Sequence, residues 1–449
     1  MLWMVVVVLG GAGSLARGAW LAGAAAVDIT PATPFPPALR TALSPLMRTN
    51  PEKSPTNRII RTLLVAFFVM VQSVLPAELT KPVAIPEISA ITAAMQGVVT
   101  NQELAGAVTL VASPDKIVHL SAVGFADIAA KRPMKTDSIF WIASMTKPVT
   151  AAAILMLQDE GRLSVDDPVG KYLPELADLK TADGKVAPVT LRQLLSHTSG
   201  MAEAPKNSVK TLAELIPLYA RQPLKFPPGS MWVYCQSGIN SLGRIVEVVS
   251  GLPFQTFLQT RLFDPLDMKD TTFFPSAEQR ARLAKPYQQV EDKLVEQGFG
   301  DFNPENHDRY PAPNGGLFST ATDYSRFLRM LLNMGTLDGR TYLKAETVRL
   351  MTTNHSGDFK AGWNPGHGWG FGVAILREPQ GVTATLSPGT FGHVGAYGTH
   401  GWVDPVTRHV HVLMIQRTSG GFDDSVARRA FHKSFAAWIQ ETKDREADE

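Results

Sequence analysis

A serine three residues ahead of a lysine puts a hydroxyl and an amine on one face of a helix, roughly 5–6 Å apart at Cβ. Ser144 and Lys147 have this spacing in Phe140-Trp-Ile-Ala-Ser-Met-Thr-Lys-Pro148. An apolar run reaches Ala143, and the helical run Val149-Thr-Ala-Ala-Ala-Ile-Leu-Met-Leu-Gln158 follows. A free serine is a weak nucleophile and needs an adjacent base. A lysine becomes that base only when burial or nearby positive charge lowers its pKa. The start of a buried helix helps twice, because its partial positive charge disfavours the ammonium and favours a developing oxyanion. The alternative reading of Ser144 is an N-cap with a solvated lysine in the first turn. The same spacing recurs at Ser113-Pro-Asp-Lys116, between the β-like runs Ala107–Ala112 and Ile117–Leu120, and there it reads as a hairpin turn.

The elements around Ser144 follow from periodicity. Ile88, Ile91 and Met95 give residues 86–99 a helical spacing. Two strands then meet at the Ser113 turn, and the Ser144 helix closes at Gly161. Thr190-Leu-Arg-Gln-Leu-Leu-Ser-His-Thr-Ser-Gly200 reads as a short helix capped by Thr190 and ended by glycine. Phe226-Pro-Pro-Gly229 is a rigid turn presenting Met231-Trp-Val-Tyr-Cys-Gln236, after which Ser237 opens a helix from Gly238 to Ser250. Residues 285–312 are polar and irregular and read as a long surface loop. Gly315-Gly-Leu-Phe-Ser-Thr320 leads into an amphipathic helix from Tyr324. Strand patterns return at Trp369–Leu376, Gly392–Val403 and Val410–Gln416, and a helix over about 424–441 closes the chain. The expected fold is α/β (α+β), an antiparallel sheet flanked by helices with an inserted, mostly helical lobe. Residues 78–164 and 315–449 make the α/β lobe, and residues 165–314 the helical one.

Composition bounds the partners. The chain has 449 residues, 45% hydrophobic and 19% charged, with a formal net charge of +2. Six cations against two carboxylates in the first 77 residues leave a net −2 for the rest. A near-neutral body without a basic run argues against nucleic acid. Cys235 is the only cysteine, so neither an internal disulfide nor a thiolate metal site is available. His197, His367, His400, His409 and His411 form no His-x-x-x-His pair on a helix, so no metal and no cofactor is expected. Arg58-Ile-Ile-Arg61, the apolar core at about 62–71 and the small-residue exit at Pro76-Ala77 read as a secretory signal peptide within a leader spanning residues 1–77. Met47 is a plausible start for it. The core is short for a membrane span, so export to the periplasm or medium is expected, with an uncleaved N-terminal anchor as the alternative.

Taken together, these segments resemble the serine β-lactamase and penicillin-binding superfamily over about residues 85–440. The closest branch is that of class C β-lactamases and family VIII carboxylesterases. Ser144 and Lys147 match its Ser-x-x-Lys element. Tyr234-Cys235-Gln236 matches Tyr-x-Asn, and His393-Val394-Gly395 falls where class C enzymes carry Lys-Thr-Gly. Leu195–Gly200 and Gly315–Thr320 resemble further family blocks. The resemblance implies that Ser144 forms an acyl-enzyme and that Lys147 and Tyr234 share the proton work, either one being the base. It also implies an oxyanion hole of the Ser144 and Ala396 backbone N–H groups, with Gln236, His393 and Gly395 against the substrate. Gly395 would leave room for the substrate beside the strand.

Two departures bear on the substrate, which is a small-molecule ester or lactam. His393 replaces a lysine that attracts a substrate carboxylate, and a histidine is mostly neutral at pH 7. Gln236 replaces a shorter asparagine. Both favour neutral esters, hence a carboxylesterase. The alternatives are a class C-like β-lactamase, a D-alanyl-D-alanine carboxypeptidase, or a binding or sensor protein that acylates without turnover. If His393 faces the substrate, it gains its charge only below about pH 6.5, so β-lactam hydrolysis should improve toward pH 6.

Overall fold

The strand nearest the start of the described chain pairs with the strand nearest its end. The computed structural model describes residues 87–205, 208–418 and 425–448, so the expected leader lies outside the described residues. β1 (Gly106–Ala112) is buried at every position. It pairs antiparallel with β2 (Ile117–Asp127) around the Ser113 turn and, on its other side, with the last strand of the chain. After β3 (Arg132–Pro133) the chain leaves the main sheet and returns as β4 (His367–Trp369), β5 (Ala374–Leu376), β6 (Phe391–Val394), β7 (His400–Asp404) and β8 (His409–Met414). The spatial order is β4-β5-β6-β7-β8-β1-β2-β3, antiparallel throughout. Residues 84–449 form one unit, and its division into an α/β lobe and a lobe of residues 165–314 stands as a proposal.

Both faces of the sheet are covered, which explains why β1 reads as a continuous apolar run. On one face, α1 (Ser89–Thr100) and the last helix, Val426–Asp448, pack through Ile91, Met95, Phe431 and Phe435 onto Val111 and Leu413. On the other, Val108, Leu110, Val412 and Met414 meet the large core. At its centre is α2 (Thr146–Asp159), buried from Thr146 to Leu157 on all sides. A helix apolar all round has no solvent face, and this one carries Lys147 inward.

Several boundaries differ from the sequence expectation. Trp369–Leu376 is not one strand, because Gly370–Val373 turns it into the β4–β5 hairpin; likewise Gly392–Val403 breaks at residues 395–399 into β6 and β7. Gly372, at φ +68°, makes the first turn possible, since a Cβ there would lie 2.9 Å from the Lys147 carbonyl oxygen. Residues 285–312 contain a hairpin, Tyr287–Val290 with Lys293–Glu296, where only a loop was expected. α3 (Leu191–Leu195) has the expected Thr190 cap, but His197, at φ +59°, takes the left-handed position before Gly200. α4 (Gln236–Ser250) starts two residues early, with Cys235 rather than Ser237 as its N-cap.

Candidate active site

Ser144 lies in a 3-10 turn, Ala143–Met145, immediately before α2. Ala143 precedes it with φ +45°, a left-handed conformation that costs a non-glycine residue about 1–3 kcal/mol. Surrounding bonds hold that turn. Thr146 Oγ1 donates to the Ala143 carbonyl (2.7 Å) and accepts from Leu317 N (3.1 Å). Trp141 Nε1 donates to the Gly315 carbonyl (2.7 Å). Tyr324, on α5 (Ala321–Leu332), donates its hydroxyl to the Met145 carbonyl (3.0 Å). The segments around 144 and 315 are therefore locked together, although 171 residues apart in sequence.

Lys147 is fully buried. Its Nζ donates to Ser144 Oγ at 3.2 Å and to the Asn314 carbonyl at 2.6 Å. Burial drives its pKa down to about 7, with Glu203 and then Cys235 pulling the other way. The amine is thus poised to exchange a proton with the serine hydroxyl near neutral pH, and the solvated-lysine reading of this segment does not hold.

The Tyr234 hydroxyl faces Ser144. Burial pushes its phenol well above the usual tyrosine range, and Ser144 opposes this only in part. Lys147 Nζ stands over the ring face, 4.6 Å from its centroid. The ring is enclosed by aromatic neighbours: His197 at 4.6 Å, Trp363 at 5.6 Å, Trp369 at 5.8 Å and His393 at 6.1 Å between centroids. The backbone before α4 is pinned by His197, whose carbonyl accepts from Val233 N (3.0 Å) and whose Nδ1 accepts from Cys235 N (3.2 Å). Cys235 is buried, and burial pushes its thiol up to about 11.

His393 is where the structure departs most from expectation. It is fully buried in β6, and burial, with the charge of Lys147, takes its pKa down to about 3. Its Nδ1 lies 2.7 Å from the Val394 carbonyl, so Nδ1 carries the proton and Nε2 faces the Tyr234 hydroxyl at 3.4 Å. This burial opposes a charge on His393 that appears below pH 6.5. Gly395 also has a different reason from the one expected: a Cβ there would come 2.0 Å from Thr399 Oγ1 and 2.7 Å from the Ile142 carbonyl oxygen. The glycine lets the end of β6 press against the segment two residues ahead of Ser144. Ala396 is in the exposed turn that follows, not on the strand.

On the opposite side the site is polar. Gln236 Oε1 accepts from Asn314 Nδ2 (3.1 Å), and Asn314 N donates to Asn240 Oδ1 (3.2 Å). Gln236, Asn240 and Asn314 border a cavity of about 670 Å³, with Glu203, Tyr219 and Tyr310 across it. Asn314 joins Lys147 to Gln236 and was not singled out by sequence; the only signal was its place before the Gly315-Gly316 block. Trp232, Trp363 and Trp369 were missed too, because nothing in their spacing announces that they meet around Tyr234. The remaining histidines are elsewhere: His411 packs 3.9 Å from Phe435 and His400 Nε2 lies 3.2 Å from His432 Nε2, between sheet and final helix.

With the geometry in view, comparison with known proteins gives a consistent picture. The sequence model of the Beta-lactamase family matches residues 90–433. An uncharacterized protein of Mycobacterium tuberculosis is 34% identical over 369 residues, covering 74% of this chain and 91% of that protein. Esterase EstB of Burkholderia gladioli is 32% identical over 354 residues, covering 71% and 87%. Among solved structures, EstCE1, described as a hydrolase with promiscuous acyltransferase activity, superposes with a TM-score of 0.66 at 25% identity, covering 77% of this chain and 98% of that one.

Proposed function

The chain belongs to the β-lactamase family, and from that premise we propose that it is a serine hydrolase cleaving small neutral carboxylic esters through an acyl-enzyme on Ser144. The observation that carries this reading is the buried Lys147 amine, 3.2 Å from Ser144 Oγ, with its pKa brought down to about 7. In the proposed cycle Ser144 Oγ attacks the ester carbonyl carbon while its proton passes to Lys147 Nζ. The Ser144 and Ala396 N–H groups hold the oxyanion, each worth about 3–4 kcal/mol when removed. The C–O bond to the alcohol then breaks, and the departing alkoxide takes a proton from the Tyr234 hydroxyl, which Lys147 replenishes. Water repeats the sequence on the acyl-enzyme and releases the acid. Since burial keeps the proton on the phenol and brings the lysine down to about 7, Lys147 is the base and Tyr234 the donor.

Preference for esters over carboxylate-bearing lactams rests on His393, which is neutral and occupied with Val394 and Tyr234. The likeness to EstB supports the same class. Export, inferred from residues 58–77, is part of the proposal. The test is p-nitrophenyl butyrate against nitrocefin between about pH 6 and 8.5, with Ser144→Ala as control. Ester turnover by wild type, lost in Ser144→Ala, with slow nitrocefin hydrolysis that does not improve toward pH 6, is expected. Faster nitrocefin than ester hydrolysis, or a single stoichiometric burst without turnover, overturns it in favour of a lactamase or a penicillin-binding protein.

A further inference from the structure

Glu203 lies outside every segment that carries the family resemblance, eight residues after α3, on the exposed loop beside the polar cavity. Its two carboxylate oxygens accept from consecutive backbone N–H groups at the start of α4: Oε1 from Gln236 N at 2.6 Å and Oε2 from Ser237 N at 3.0 Å. α4 runs fifteen residues, and its first N–H groups have no partner within the helix. A carboxylate there completes the cap and complements the helix dipole. Of the α4 N–H groups, the Cys235 side chain, the local N-cap, accepts from Gly238 N, at 3.5 Å. The backbone immediately after Tyr234 is thus held from two sides, by His197 at Cys235 and by Glu203 at Gln236 and Ser237.

Glu203 also acts on Lys147. The groups that face this lysine are Ser144 and the Asn314 carbonyl, which accept from it, the Tyr234 ring, the Cys235 thiol, His197 and His393. The two histidines are neutral, because burial holds both far below their usual range, and Cys235 is a thiol because burial holds it at about 11. That leaves Glu203 as the negative charge acting on the Lys147 ammonium among the described residues.

We propose that Glu203 is a positioning residue of this reaction: its carboxylate fixes the turn that carries Tyr234 and Gln236, and it is the anion that acts on Lys147. This rests on the serine hydrolase reading above. The two actions separate by substitution. Glu203→Gln removes the charge and keeps one acceptor for the cap. Glu203→Asp keeps the charge and is too short to serve both N–H groups in the same geometry.

The experiment is kcat and kcat/KM for p-nitrophenyl butyrate from about pH 5.5 to 9 on wild type and both variants, with fluorophosphonate labelling of Ser144 in wild type. Activity requires neutral Lys147, so kcat/KM rises with pH through its titration. Loss of the nearby anion disfavours the ammonium, so the rising limb of Glu203→Gln moves to lower pH by about half a unit. Glu203→Asp keeps the limb of wild type while kcat falls about three- to tenfold from the loosened turn. A residue that merely stabilised the loop would not move the limb in the charge-removing variant alone. An unmoved limb in Glu203→Gln, or equal shifts in both variants, overturns this proposal while leaving a labelled Ser144 intact. Failure to label Ser144 in wild type overturns the hydrolase reading and this proposal with it.

Discussion

Ser113-Pro-Asp-Lys116 and Ser144-Met-Thr-Lys147 have the same end residues at the same spacing and share nothing else. In the first, Ser113 Oγ turns to Asp115 Oδ1 (2.8 Å), and Ser113 N donates to the Lys116 carbonyl (2.8 Å) to close the β1–β2 hairpin, with Lys116 in solvent. In the second, the hydroxyl and the amine meet at 3.2 Å inside the protein. Proline and aspartate make one segment a turn, whereas the apolar run before Ser144 and the alanine-rich run after it make the other a buried helix start. Spacing brings the two groups within reach, and desolvation makes one of them a base. Aromatic side chains crowd the second pair around Tyr234, and the exposed Lys116 has no counterpart to them.

The contrast is broken most directly by removing each lysine. Lys147→Ala should lower kcat for ester hydrolysis by about 10²–10⁴, the usual worth of a positioned proton acceptor. Lys116→Ala should leave kcat within about twofold, because its side chain contacts neither the core nor the site. Steady-state kinetics on both proteins, with circular dichroism to confirm folding, checks this. Comparable losses in the two would mean that burial is not what separates them.

A second cation placed beside Lys147 tests the same point from within. His393→Lys would restore the residue found in class C relatives, but here position 393 is sealed among Tyr234, Trp363 and Trp369. An ammonium there has no carboxylate partner and must be desolvated at a cost of several kcal/mol. The expected result is a protein with a lower Tm whose ester turnover falls about tenfold or more, without a compensating gain on nitrocefin. A selective rise in nitrocefin kcat/KM would show instead that the position opens toward substrate.

Wetting the enclosure should move Lys147 part of the way toward Lys116. Trp363 is half-buried against both Tyr234 and His393. Its truncation in Trp363→Ala admits water and relieves the desolvation that lowers the Lys147 pKa. The sign is therefore upward: the rising limb of kcat/KM shifts to higher pH, and activity at pH 7 drops about twofold for a shift of half a unit. This is the opposite direction from Glu203→Gln. A pH profile unchanged in shape and position would remove the aromatic ring as a cause of the perturbed lysine.

The sequence made much of this legible where residue type alone decides the outcome. The β1–β2 hairpin, the Ser144 helix and the Thr190 cap follow from local preferences. The antiparallel sheet with flanking helices and the family follow from motifs in order. Glycines inside the last strands were harder. Gly372 and Gly395 sit in apolar stretches that read as continuous strands, yet close contacts with α2 and with Ile142 turn the chain there. His393 is a related case. Its place in a motif suggested a surface facing substrate, and only tertiary packing reveals that the surface is covered. Asn314 and Glu203 were invisible, since a carbonyl that accepts from a lysine on one helix and a carboxylate shared between two N–H groups leave no periodic trace.

The smallest effect is expected on the polar side. Gln236→Asn shortens the side chain by one methylene and returns the residue that class C relatives carry. In wild type the Gln236 side chain accepts from Asn314 Nδ2 at 3.1 Å, and the same Asn314 offers its carbonyl to Lys147. A shorter amide withdraws from that bond and leaves Asn314 held by its N–H to Asn240 and by Lys147. One neutral hydrogen bond at the border of a polar cavity is worth about 1 kcal/mol, so kcat/KM for p-nitrophenyl butyrate should fall no more than about fivefold. The pH limb should stay where it is, because no charge and no buried surface near Lys147 changes. If the limb moves with Gln236→Asn, the Asn314 carbonyl is itself part of what sets the lysine, and the polar wall contributes to the perturbation that we ascribe to the aromatic one. A fall far beyond fivefold at an unmoved limb would place Gln236 against the substrate in the rate-limiting step rather than behind it.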